Sequence, residues 1–154
     1  MNLTIDNALH GIEELLRERI APEIGDPFAA QMARLSCMLL RISANRVDDA
    51  AELRVEENAA IRALLGDAAA LVGGALALRL AEAARSSDPG LKLSVLDGEN
   101  DRLRGLLVEA QVILEAGHDA AQRALDQSIW RLLEAIEARR APSDQGWPAQ
   151  PAGQ

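Results

Sequence analysis

The stretch FAAQMARLSCMLLRISANRVDDAAELRVEENAAIRALL, residues 28–65, contains neither glycine nor proline. Phe28, Met32, Leu35, Leu39 and Ile42 recur at steps of four and three, the period of one helix face. Asp26 is placed to cap that helix, and Pro27 occupies its first position, where a missing N–H costs nothing. Val47, Ala51, Val55, Ile61 and Leu65 continue an apolar face. The reading favours one continuous second helix, about 57 Å long at 1.5 Å per residue. Between Ser43 and Asp49 the stripe weakens as Asn45, Arg46, Asp48 and Asp49 appear, so a kink or break there is the main alternative.

The surrounding chain reads the same way. Before this stretch, Ile5, Leu9, Ile12, Leu16 and Ile20 form a stripe behind Thr4, a candidate N-cap, and Pro22 and Gly25 end that helix. A third helix is expected from about Asp67 to Arg85, with Ala69, Gly73, Ala77 and Ala81 as a small-residue row and Gly73-Gly74 in its middle. Ser86-Ser87-Asp88-Pro89-Gly90 reads as a loop. A fourth helix starts near Ser94, where Ser94-x-x-Asp97 resembles a capping box, and stops at Gly117. A fifth runs from Asp119, its cap, to about Arg140. The expectation is an all-α, up-and-down bundle of about five helices with one unusually long or kinked second helix. Residues 1–140 are taken as a single domain and 141–154, rich in Pro, Gly and Gln, as a disordered tail carrying Trp147-Pro148.

Composition agrees. The 154 residues include no Tyr, one Phe and two Trp, yet 49% are apolar, so the core is Leu, Ala, Ile and Val. A net charge of -8 argues against nucleic acid and anionic membrane surfaces as partners, since both are bound largely through clustered Lys and Arg. Eleven apolar residues, Ala68 to Leu78, are too few to span a bilayer, which takes about 20. One cysteine, Cys37, and no segment resembling a signal peptide predict a soluble cytoplasmic protein. Abundant Ala and Arg beside a single Lys suggest a GC-rich, bacterial source.

Two segments echo each other. Glu57-Asn58-Ala59-Ala60-Ile61-Arg62-Ala63-Leu64-Leu65 and Glu99-Asn100-Asp101-Arg102-Leu103-Arg104-Gly105-Leu106-Leu107 both read E-N-x-x-[IL]-R-[AG]-L-L. Such a pattern is widespread in helical proteins and names no family. With Asn58 at heptad position a, Ile61 falls at d, Leu65 at the next a, Glu57 at g and Arg62 at e, and the second segment takes the same places. Two helices running in the same direction would then bring Asn58 to Asn100, Glu57 to Arg104 and Glu99 to Arg62. One reading is a device that fixes helix register. The other is a polar pocket in which Glu57, Asn58, Arg62, Glu99, Asn100 and Arg104 hold a small polar or anionic ligand. A cavity lined by these six side chains, in place of mutual pairing, would separate the two.

No catalytic constellation emerges. Glu115-x-x-His118 has the spacing of a di-iron half-site, but such a site needs a second Glu-x-x-His, and His10 has Asn7 three residues before it, so no metal or cofactor is expected. His10, with Glu13 and Glu14 one turn on, reads as surface charge, and Cys37 as a small core residue. No GxGxxG, GxxxxGK[ST] or G-x-S-x-G occurs. The expected function is a non-enzymatic interaction or accessory protein. It acts through homodimerisation, because the long second helix outruns its neighbours, and through binding to another protein.

Overall fold

In the computed structural model, residues 3–140 are described, and the tail expected over 141–154 lies outside them. The described residues form six α-helices and no strand: α1 (Ile5–Leu15), α2 (Pro27–Val47), α3 (Ala50–Leu71), α4 (Gly74–Arg85), α5 (Leu93–Ala116) and α6 (Ala120–Arg140). The all-α class holds, with six helices where five were expected.

Both corrections lie at junctions. The expected continuous second helix is divided, for α2 ends at Val47 and α3 starts at Ala50. Asp48 and Asp49, both exposed, stand between them. Aspartate competes for backbone hydrogen bonds, opposes the dipole at a helix C-terminus and favours it at an N-terminus, so the pair suits an end followed by a start. The second boundary is Gly73-Gly74, expected inside a helix. Gly73 caps α4 in an extended conformation and Gly74 has φ +68°, which only glycine adopts freely. Ala69 and Ala77 therefore belong to different helices, and the small-residue row does not run along one face.

The caps divide similarly. The Asp26 carboxylate accepts from the Ala29 N–H at 2.8 Å, and that of Asp119 from Ala121 at 3.2 Å. Ser94 caps nothing, because α5 begins one residue earlier with Lys92 at its N-cap.

Contacts divide the chain into two compact units that meet in sequence at Asp49 and Ala50. The first contains α1, a π-helical turn at Leu16–Ile20, a 3-10 turn at Ala21–Glu23 around Pro22, and α2. Its two helices pack through small side chains: Ala30, Ala33, Cys37 and Ala44 of α2 are buried, and the Cys37 thiol points at the Glu13 carbonyl, 3.9 Å away. Glu13 is the buried residue of α1, held by Arg17 at 3.0 Å. The expected α2 stripe lies on the opposite side of the helix and is open, with Phe28 72%, Met32 40%, Leu35 42% and Leu39 54% exposed.

The second unit, Ala50–Arg140, holds the larger core. Ile61 and Leu65 of α3, Leu80 of α4, Leu103, Leu107 and Leu114 of α5 and Ile129 of α6 close around one another. Helices α3 and α5 lie against each other at the centre, with α4 and α6 packed beside them. Gly66 of α3 faces Ala84 of α4, and a Cβ there would meet that of Ala84 at an ordinary contact distance of 3.5 Å.

Candidate functional site

The candidate site is the seam between α3 and α5. Chain reversal through α4 makes the two helices parallel, and the two E-N-x-x-[IL]-R segments meet in register. Ile61, Leu65 and Leu103 are fully buried and Leu107 nearly so. Above these apolar layers, Asn100 Nδ2 donates to Asn58 Oδ1 at 2.9 Å. Arg104 donates to Glu57 Oε1 through Nη2 at 2.7 Å, and Arg62 to Glu99 Oε1 at 2.9 Å. All three juxtapositions expected from the heptad assignment are present. Each g residue reaches the e residue of the facing helix, as in a parallel coiled coil.

The network is larger than the six residues. Arg54 bridges Glu57 at 2.9 Å and Asp97 at 2.7 Å, and Arg140 reaches Glu57 at 3.1 Å. Arg102 holds Glu99 at 2.8 Å from the following turn. The loop before α5 bends back onto the seam. There the Asp88 carboxylate accepts from Arg62 at 2.7 Å and from Asn58 at 2.9 Å, and the Ser86 hydroxyl accepts from Arg62 Nε at 3.2 Å. Ser86, Asp88, Arg54, Arg102 and Arg140 had no signal in the repeat. Residues 86–90 read only as a loop, and nothing in their pattern placed that loop on the seam.

Electrostatics follow from this geometry. The Glu99 carboxyl is lowered from 4.5 to about 2, mainly by hydrogen bonds from Arg102, with burial opposing and Arg62 assisting. Burial pushes Glu57 up, but Arg104 and Asn100 outweigh it and the carboxyl ends below its ordinary value. Burial also disfavours the Arg62 charge, yet Asp88 and Glu99 raise its pKa overall. Among the described residues, every buried side-chain nitrogen and oxygen has a partner. A buried ion network of this kind is tolerable only when each member is satisfied.

A groove of about 490 Å³ lies alongside, lined by Arg79, Glu82, Ser86, Asp101, Arg102 and Glu109 among others. It borders the network at Ser86 and Arg102, but none of the six repeat residues lines it. Its most prominent pair, Arg79 and Glu109, is closed by two hydrogen bonds of 2.7 and 2.8 Å. No three or more His, Cys, Asp or Glu side chains among the described residues are grouped to hold a metal. Among them, too, no helix is long and apolar enough to cross a membrane. Compared with family models, curated proteins and solved structures, the chain matches none.

Proposed function

We propose that this chain is a non-enzymatic interaction or accessory protein that self-associates and binds another protein through its N-terminal helix pair. The observation that carries the reading is the distribution of side chains in that pair. Its helices touch through alanine and cysteine, while Ile5, Ile12, Phe28 and Leu39, all more than half exposed, face outward. Exposed apolar side chains recurring along one helix face, as Phe28, Met32, Leu35 and Leu39 do, mark a contact with another macromolecule. The α3–α5 seam then serves as a clasp that fixes the register of the second unit.

The alternative assigns Glu57, Asn58, Arg62, Glu99, Asn100 and Arg104 to a small polar or anionic ligand. It has less support, because an incoming anion must displace Glu57 or Glu99 from arginines that already hold them. A reducing cytoplasm suits the single buried thiol of Cys37.

Sedimentation equilibrium of the full chain, from micromolar to millimolar concentration, tests the reading. Self-association is the expected result. A monomer throughout refutes it, and added mass in native mass spectrometry would favour the ligand.

A further inference from the structure

We propose that α2 packs antiparallel against α2 of a second copy along Phe28, Met32, Leu35 and Leu39. The inference rests on the self-association reading and names its surface. Three observations carry it.

The first is the pattern. Phe28, Met32, Leu35, Leu39 and Ile42 follow a 4-3-4-3 spacing, which puts Phe28 at d and Met32 at a of a heptad. Ala30, Cys37 and Ala44, which face α1, then fall at f, on the far side. Helix α1 therefore leaves the seam uncovered. Taking about 200 Å² for a large side chain, the exposed fractions of the first four residues leave roughly 400 Å² of apolar surface. That is about half of the ~800 Å² each partner contributes to a standard interface, and the flanking positions of the same helix supply more.

The second is charge. The flanking e positions are Ala29, Ser36 and Ser43, and the g positions are Gln31, Met38 and Asn45. None is ionised, so nothing beside the seam repels an identical helix, and nothing selects a differently charged one. A seam that meets its own copy about a two-fold axis also closes, whereas pairing with a different surface of the same chain would propagate.

The third fixes direction. Every charge within α2 is positive (Arg34, Arg41 and Arg46), and the acidic Glu23 and Asp26 precede its first residue. Beyond Leu39, Arg46 falls at the next a position, where parallel helices would set it beside its copy. Antiparallel helices, with Met32 level with the partner's Leu35, set the two Arg46 positions at opposite ends of the pair and oppose the helix dipoles.

The test combines sedimentation equilibrium with spin-label distances on the full chain. Leu35→Glu with Leu39→Glu changes side chains that are open in the hairpin, so helicity by circular dichroism should be retained. The expected loss of dimer affinity is roughly 100-fold or more. A dimer of unchanged affinity overturns the seam but leaves self-association standing, whereas a wild-type monomer overturns both. For direction, a nitroxide is attached through Asn45→Cys in a Cys37→Ser background. The antiparallel pair separates the labels by about 35 Å along the axis. A parallel pair holds them side by side within about 20 Å, and that result overturns the proposed orientation.

Discussion

Replacing Arg62 with methionine keeps the side chain's length and removes its charge and donors. In the native unit the Arg62 side chain is 10% exposed and touches Asp88, at 12%, and Glu99, at 8%. Its loss strands two carboxylates out of water. Glu99 keeps its contacts to Arg102, and Asp88 keeps one hydrogen bond from Asn58. Breaking a buried ion pair by removing one partner costs about 3–5 kcal/mol, and the surviving contacts place this case near 3. For a unit of this size, each kcal/mol shifts the midpoint by about 4–8 °C, so thermal unfolding should drop by more than 10 °C. Circular dichroism melts with urea titration measure both quantities. A loss below about 1 kcal/mol would mean that the arginine behaves as an exposed surface charge, and the account of the seam as a buried network would fall.

Three further outcomes follow from the same geometry. Because the folded Glu99 pKa, about 2, lies below its ordinary 4.5, its stabilisation is complete above about pH 5 and is lost as pH falls towards 2. That loss is of the order of 3 kcal/mol, and Arg102→Met should remove most of it from an acid-titration curve. Replacing Asn58 and Asn100 together by leucine should cost less than the sum of the two single changes. Both single changes break the one Asn100–Asn58 hydrogen bond, which the double change loses only once, along with the Asn58 bonds to Asp88 and the Leu96 carbonyl and the Asn100 bond to Glu57; a double-mutant cycle reads the coupling. Gly74→Ala forces a φ of +68° on a side chain and should destabilise the second unit by about 1–2 kcal/mol, although no atom obstructs the new Cβ.

What the sequence made legible was what rests on short-range period. The helices, the Asp26 cap and the pairing of Asn58 with Asn100 all follow from steps of three and four along one face. The boundaries at Asp48–Asp49 and Gly73–Gly74 were misjudged because a helical period resumes beyond both, with Ala51 and Val55 after the first and Ala77 and Ala81 after the second. Propensity had to be weighed against it, and aspartate and glycine prevailed. Within the site, the six repeat residues were visible because they recur. Asp88 and Ser86 were not, since a loop's path over a helix end is set by tertiary contacts that no local pattern encodes. Arg140 lies 83 residues from Glu57, and only the packing of α6 brings them together.

The parallel α3–α5 pairing has a consequence for assembly of the chain. Because both strips carry the same E-N-x-x-[IL]-R pattern, α3 of one molecule matches α3 of another almost as well as it matches its own α5. Heptad chemistry alone does not distinguish self from neighbour. Two things do: the tether through α4, which keeps α5 at high local concentration, and the lopsided decoration of the seam. Asp88 and Ser86 lock the Arg62 side, and Arg54 and Arg140 lock the Glu57 side, with no equivalent swap between them. Cutting the tether at the α4–α5 loop while leaving both strips intact would turn a monomolecular clasp into a split pair open to exchange between molecules. The loop thus acts as a proofreader of topology as well as a connector.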